Sequence, residues 1–92
     1  MTRERNVWLW NALIRGHSRD GIYEKTLGLY CQMHHEGTKP NNFTFPFVLK
    51  ACAGLLAPQR GKRIHYHVIR SGFESDVYVG VSLVDVYANA GI

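Results

Sequence analysis

The 92-residue chain has few of the residues that mark disulfide-stapled, metal-bound or membrane-spanning proteins. Its two cysteines, Cys31 and Cys52, form neither a CxxC pair nor another metal-ligand spacing. We expect two buried free thiols, with a disulfide as the alternative. No apolar run approaches the roughly 20 residues of a membrane helix. We therefore expect no membrane association. The five residues before Asn6 are too few for a transit or secretory signal, so we also expect no targeting segment in this chain.

Residue patterns that carry catalysis or hold cofactors are also scarce. The sequence contains no Ser-His-Asp order, no phosphate-binding loop and no His-x-Glu deaminase signature. Its five histidines include the pairs His34-His35 and His65-x-His67. Two helical histidines that hold one metal ion need a spacing of three or four residues, which neither pair has. We therefore expect no enzymatic activity, no metal and no cofactor.

A repeat with a period of 35 residues is the strongest pattern that the chain does have. Aromatic-led segments begin at Trp8, Phe43 and Tyr78, each 35 residues after the one before. Gly37 and Gly72 share another phase of the same period. A period of this length indicates stacked supersecondary units, each of which buries its apolar face against its neighbours.

Each unit has the pattern of a helix, a turn and a second helix. In the first unit, Asn6 is the expected N-cap of a helix whose apolar face carries Trp10 and Ile14. Asp20-Gly21 predicts the turn, and the second helix is expected over about residues 23–36. Gly37 suits the left-handed position after that helix.

The later units repeat this scheme and complete the predicted fold. The second unit has a first helix around residues 45–52 and a second helix that carries residues 64–69 and closes at Gly72. The third keeps one helix, about residues 78–90. We predict an all-α solenoid with unit boundaries at 1–6, 7–41, 42–76 and 77–92. Fewer than three complete units predict that the isolated chain is partly molten or self-associates.

Three segments carry a specific family resemblance. Residues 6–16 (NVWLWNALIRG) and 30–41 (YxQMxxEGxKPN) together resemble a pentatricopeptide repeat. Residues 42–52 (NFTFPFVLKAC), followed by Gly61-Lys62-x-Ile64-His65, are similar to the long repeat variant of the plant branch of that family. Residues 71–88 resemble the short variant that follows it. The resemblance covers residues 6–92 in the order normal, long, short.

The resemblance implies recognition of single-stranded RNA in mitochondria or chloroplasts, usually one base per repeat, within an RNA-processing or editing factor. It also implies other organellar RNA-processing or editing proteins as further partners. In that family a residue of the first helix and the last residue of the unit address a base edge, and here these are Asn11 and Asn41. Two carboxamides offer both donors and acceptors, and the resemblance implies that such a pair prefers pyrimidines, with cytosine somewhat favoured. Alternatively, Asn41 caps the next helix and Asn11 is solvated.

The other base-reading positions are weaker. The positions equivalent to Asn11 hold Pro46 and Val81, which have no polar side-chain atom. The last residue of the second unit, Asp76, therefore has no polar partner at the equivalent position. Asn6 would be the final residue of an upstream unit that is mostly missing.

Aromatic and basic side chains complete the candidate site. Trp8, Phe43 and Tyr78 lie where the resemblance implies an aliphatic wedge between bases; they could stack on bases, at about 1–3 kcal/mol each, or pack between repeats. The net charge of +4 and a pI near 9.3 suit a polyanion. Arg15 and Lys50 share a phase and could reach phosphates.

Two alternatives remain open from the sequence. The run Arg60-x-Lys62-Arg63 opens an outer helix and is either an auxiliary basic patch or a solvated face. Aromatic residues and arginine in a groove also suit a helical scaffold that binds a protein or peptide, which is the second candidate function.

Overall fold

The computed structural model describes residues 6–89, and these form five helices. The helices are α1 (Val7–Arg19), α2 (Tyr23–His35), α3 (Phe45–Gly54), α4 (Pro58–Arg70) and α5 (Val77–Asn89). No strand occurs within residues 6–89, and the predicted all-α repeat fold is confirmed. The predicted end of the last helix at Ala90 lies outside the described residues.

The helices form two layers that follow the chain order. α1, α3 and α5 contact one another in sequence and make up one layer, which we call the inner layer. α2 packs against both α1 and α3, and α4 packs against both α3 and α5. Each second helix therefore covers the junction between two successive first helices, as expected for a solenoid whose units bury their apolar faces against neighbours.

Four helices end in the same left-handed turn. In the α2 turn the N–H of Thr38 donates to the carbonyl of Met33 at 3.1 Å, which satisfies a carbonyl that the helix leaves open. The glycines in these turns have positive φ angles, as their predicted positions require: Gly21 at 76°, Gly37 at 84° and Gly72 at 82°. In the turn between α3 and α4 the position equivalent to Gly21 holds Leu56, with a φ of 52°.

The core lies between the two layers and contains Trp10, as its place on the predicted apolar face of the first helix required. Trp10 and Phe45 are fully buried. Both cysteines are free thiols, and Cys52 is buried as predicted, but the prediction of a buried Cys31 is wrong because Cys31 is exposed. α2 is an outer helix, so the position one residue beyond buried Tyr30 faces solvent.

α4 approaches α5 closely at Gly61. A Cβ atom added at Gly61 would lie 2.6 Å from Cγ1 of Val86, which is buried and branched at Cβ. Any larger residue at this position would therefore push α4 and α5 apart. None of the helices within residues 6–89 has the length and apolar character needed to cross a membrane.

Candidate nucleic-acid interface

A groove of about 430 Å³ lies where α1 meets the start of α3. We call it the asparagine groove, and it is lined by Trp8, Asn11, Ala12, Arg15, Phe43 and Phe47. Four of these residues are predicted site residues, although they come from two different units of the sequence. The fold thus brings a predicted base reader, two predicted stacking residues and a predicted phosphate contact to one depression.

The two asparagines predicted to read a base are joined directly. Nδ2 of Asn11 donates a hydrogen bond to Oδ1 of Asn41 at 3.0 Å. Asn11 keeps only 8% of its surface exposed, so the alternative of a solvated Asn11 is wrong. Asn41 is half-buried. The fold therefore joins the two amides by a hydrogen bond, and they are not independent surface groups.

Asn41 also caps the turn that leads into α3. Its Oδ1 accepts from the N–H of Phe43 at 3.0 Å, and its backbone carbonyl accepts from the N–H of Thr44 at 3.0 Å. In return, Oγ1 of Thr44 accepts from the N–H of Asn41 at 3.0 Å. This reciprocal pattern is that of a capping box. The cap uses only the oxygen of the Asn41 amide, and no residue within 6–89 accepts from its Nδ2.

The other two predicted base readers are caps as well. Oδ1 of Asn6 accepts from the N–H of Leu9 at 2.9 Å at the start of α1. Oδ1 of Asp76 accepts from the N–H of Val79 at 3.1 Å at the start of α5. The last residue of each unit therefore caps the turn or helix that follows it, and base reading remains a prediction at all three positions.

Thr44 is a site residue that the sequence analysis missed. It is fully buried, and its Oγ1 donates to Oδ1 of Asn11 at 2.5 Å. The hydroxyl also lies 3.2 Å from Oδ1 of Asn41. The Asn-x-x-Thr spacing at residues 41–44 is the sequence signal that could have indicated it, because capping boxes pair residues three apart.

The predicted stacking residues are all exposed. Trp8 is 67%, Phe43 54% and Tyr78 74% exposed. The rings of Trp8 and Phe43 lie 6.5 Å apart with planes at 38°, within the range of contacting aromatic pairs. Trp8 and Phe43 pack against each other across the boundary between the first two units, and each still exposes more than half of its surface. Packing between repeats therefore leaves both side chains accessible for stacking on a base.

The two predicted phosphate contacts lie in different surroundings. Arg15 is exposed at the asparagine groove. Lys50 lies in a second groove of about 340 Å³ between α3 and α5, which we call the lysine groove. Asp85 also lines that groove, at the phase of the repeat that holds Arg15 and Lys50 in the earlier units. A carboxylate at this place weakens the attraction of Lys50 for a phosphate.

The outer basic run is partly neutralised. Arg60 forms two hydrogen bonds to the carboxylate of Glu24, at 2.9 and 3.1 Å, across α2 and α4. The hydrogen bond from the guanidinium lowers the pKa of Glu24. Lys62 and Arg63 are exposed on the same helix. The run thus joins two units at one position and is solvated at the others.

The fold brings two histidines together that are distant in sequence. The rings of His34 and His67 lie 4.9 Å apart, and the hydroxyl of Tyr30 is hydrogen-bonded to Nδ1 of His67 at 3.0 Å. Burial and the neighbouring His67 lower the pKa of His34, and burial raises the pKa of Tyr30. Among residues 6–89 no group of three or more His, Cys, Asp or Glu side chains is placed to hold a metal ion.

Comparison with known proteins agrees with this architecture. The model of the PPR repeat family matches residues 5–54. The chloroplastic pentatricopeptide repeat-containing protein At4g25270 of Arabidopsis thaliana is 46% identical over 89 residues, which cover 97% of this chain and 17% of the relative. The chloroplastic pentatricopeptide repeat-containing protein CRR2 of the same plant is 42% identical over 94 residues, covering 98% of this chain and 14% of the relative.

A third relative gives the same result. Pentatricopeptide repeat-containing protein At3g03580 of Arabidopsis thaliana is 40% identical over 88 residues, which cover 96% of this chain and 10% of the relative. The chain thus spans about a tenth to a sixth of the length of these relatives. Because the family model matches more than half of a chain whose helices stack as 35-residue units, the chain belongs to the pentatricopeptide repeat (PPR) family.

Proposed function

We propose that this chain is a single-stranded RNA-binding module of an organellar RNA-processing or editing factor, and that its asparagine groove takes up one base. The observation that carries the proposal is the meeting of an aromatic edge, an arginine and the amide of Asn11 in one groove, with Asn41 hydrogen-bonded directly behind that amide. RNA recognition of single strands combines these same three elements: stacking, hydrogen bonds to base edges and contacts to phosphates.

Each element has a separate role in the proposed complex. A base stacks on the exposed faces of Trp8 and Phe43, while the amides of Asn11 and Asn41 address its edge. Arg15 is exposed along the same groove and contacts a phosphate. Pro46 and Val81 offer no hydrogen-bonding group at the equivalent positions, so the second and third units contribute to RNA binding without strong base selection.

The cellular setting follows from the family and from the named relatives. PPR proteins are generally RNA-binding organellar proteins, and the two chloroplastic relatives described above support a chloroplast or mitochondrial setting for this chain. The predicted order of normal, long and short variants is that of plant editing and processing factors. Editing chemistry itself would come from other parts of such a factor or from partner proteins.

The substitution Asn41→Asp tests base reading without removing the cap. A carboxylate oxygen can accept the same hydrogen bonds from Phe43 and Asn11, and Asp76 performs this capping role at the equivalent position. The change replaces the N–H donors of the amide by acceptors. Preference at the facing base is expected to move from cytosine toward uracil, with only a modest change in the salt dependence of binding.

Binding to four RNAs that differ only at one base measures this change. Asn42→Asp is the matched control, because Asn42 is the neighbouring half-buried asparagine, whereas Asn41 is the one that Asn11 is hydrogen-bonded to. If Asn41→Asp leaves the order of the four RNAs unchanged, Asn41 is a helix cap only and the assignment of base reading is wrong.

Binding of a protein or peptide in the groove is the second candidate. It is favoured by the apolar lining, since Trp8, Ala12, Phe43 and Phe47 make up most of the groove wall. RNA binding through phosphates weakens steeply with added salt and is abolished by single-stranded RNA competitor. An apolar peptide contact would respond little to either, so one titration at two salt concentrations separates the two functions.

A further inference from the structure

A second large groove lies between the ends of α2 and α4, and it shares no lining residue with the asparagine groove. Its volume of about 650 Å³ falls within the range of small-molecule sites, and we call it the Arg70 groove. The polar side chains that line it come from two successive units and are His34, Thr38, Lys39, Arg70 and Ser71. Each of these side chains carries a hydrogen-bond donor and none is acidic.

Lys39 and Arg70 bring two positive charges to this groove, one from each unit. No ion pair within residues 6–89 includes either side chain. Glu36 and Glu74 are exposed in the adjoining turns, but neither lines the groove. The two cations are therefore exposed side chains without a carboxylate partner in the part of the chain that the structure describes.

Arg70 is held in place by a tyrosine on its own helix. Nη1 of Arg70 donates to the hydroxyl of Tyr66 at 2.8 Å, and its guanidinium carbon lies 5.6 Å from the centre of that ring. The N–H groups on Nε and Nη2 have no acceptor within residues 6–89. This edge of a guanidinium is a planar fork that can bind two oxygens of a phosphate at once, and Tyr66 reduces the freedom that Arg70 would lose on binding.

The ends of α2 and α4 oppose an anion at this groove, but the two cations exceed their effect. A helix C-terminus carries about half a negative charge, so two helix ends contribute about one. The turns at Gly37 and Gly72 satisfy several of the last carbonyls with backbone N–H groups. Burial and the neighbouring His67 hold the pKa of His34 below its ordinary value, so this imidazole is neutral at pH 7. The balance in the groove stays positive.

We propose that the Arg70 groove binds a phosphate monoester, whose oxygens are held by Lys39 and Arg70. A monoester carries a charge of about −1.5 to −2 at pH 7, which matches two cations, whereas each phosphodiester of an RNA strand carries a single charge. The hydroxyl of Ser71 can donate to a further oxygen. Buried Pro40 and half-buried Phe73 complete the wall, and the volume of the groove admits the organic group of the ester beside them. This site goes beyond RNA binding in the asparagine groove.

The test uses isothermal titration calorimetry on the whole 92-residue chain with three probes. Adenosine 5′-monophosphate (AMP) is the monoester, adenosine 3′,5′-cyclic monophosphate is the singly charged diester, and adenosine has no phosphate. We expect the cyclic diester to bind at least about 5-fold more weakly than AMP, and adenosine not to bind. Lys39→Gln and Arg70→Gln should each weaken AMP binding by about 5- to 10-fold.

Two matched variants control for net charge. Lys25→Gln and Arg63→Gln remove the same charges from exposed positions that do not line the groove, and each should change AMP affinity by less than about 2-fold. Displacement of AMP by oligoadenylates distinguishes two sources of the monoester. Displacement by the 5′-phosphorylated but not the 5′-hydroxyl oligonucleotide supports a site for an RNA end, and displacement by neither supports a site for free monoesters. Equal displacement by both shows a general polyanion effect and overturns the proposal.

Lys39 and Arg70 would have a purely structural role if they served only the helix ends. Both glutamine variants would then lower the urea midpoint and leave AMP affinity unchanged, which overturns the proposal. Equal binding of AMP and the cyclic diester, or equal losses in the control variants, has the same consequence. Circular dichroism checks folding. If Arg70→Gln is unfolded, Lys39→Gln and Arg70→Lys, which keeps the charge but loses the fork, should still weaken AMP binding.

Discussion

Removing Arg15 should flatten the salt dependence of RNA binding more than removing any other single cation within residues 6–89. Arg15 lies at the asparagine groove, where the lining contains no acidic side chain. Each phosphate contact on a single strand contributes about 0.7 to the slope of log affinity against log salt. Between about 50 and about 200 mM salt, one lost contact therefore reduces the loss of affinity by about 2.6-fold.

Lys50 should contribute less than Arg15 because it shares the lysine groove with Asp85. We expect Lys50→Ala to lower the slope by less than half of the value for Arg15→Ala. Asp85→Asn should have the opposite sign: it removes the competing carboxylate, so affinity should rise at low salt and return to the original value at high salt. Fluorescence anisotropy with one labelled single-stranded RNA at four salt concentrations gives all three slopes.

Lys62→Ala is the matched control, because it removes one positive charge from the exposed outer face of α4. A general effect of net charge would change the Lys62→Ala slope as much as the Arg15→Ala slope. Equal slopes for these two variants would refute the placement of the RNA in the asparagine groove. A slope for Lys50→Ala as large as that for Arg15→Ala would refute the role assigned to Asp85.

Three further predictions concern stability, association and pH. In urea unfolding, Gly61→Ala should lower the free energy of unfolding by about 1–3 kcal/mol relative to Gly28→Ala. The methyl group added at Gly61 meets Val86, whereas the one added at Gly28 meets nothing. Equal effects of the two substitutions would contradict the packing of α4 against α5. The stripe of Val77, Val81 and Val84 on α5, each more than half exposed, should drive self-association, so Val81→Lys should shift sedimentation toward monomer while Ile69→Lys on α4 should not. The pKa of His34 is lowered in the fold by burial and by His67, so the unfolded chain binds the proton first, and stability should fall as the pH drops below about 6.5. The urea midpoint should lose part of this pH dependence in His34→Gln but not in His35→Gln, and an unchanged profile in the first variant would exclude His34 as the cause.

Local residue chemistry made the helices predictable, and contacts between distant residues limited the prediction of the site. Gly37 and Gly72 marked helix ends because the left-handed turn needs them, and Asn6 marked a helix start. The meeting of Asn11 and Asn41 could be anticipated only through the family resemblance, since 30 residues separate them. The exposure of Cys31 depends on which side of α2 meets the core, which periodicity alone left open.

Contacts across units could not be predicted for a related reason. The bond between Tyr30 and His67 and the ion pair of Glu24 with Arg60 depend on the relative rotation of α2 and α4. The repeat period gives the order of these helices but not their rotation. Thr44 was missed because its hydroxyl group contacts two residues at once, of which one, Asn11, lies 33 residues earlier in the chain.

The hydrogen bonds that join Asn11, Asn41 and Thr44 also bear on how arrays of this kind can be recombined. Asn11 and Asn41 belong to the first sequence repeat, but the hydroxyl group that donates to Asn11 belongs to Thr44, three residues into the next one. An exchange of repeats cut at residue 41 would transplant the proposed base reader without Thr44 and leave its hydrogen bonds to whichever residue the recipient supplies. Cassettes cut after residue 44 would carry Asn11, Asn41 and Thr44 together. The sequence repeat ends at residue 41, whereas the set of hydrogen-bonded side chains extends to residue 44. Libraries of recombined repeats should therefore be cut after residue 44.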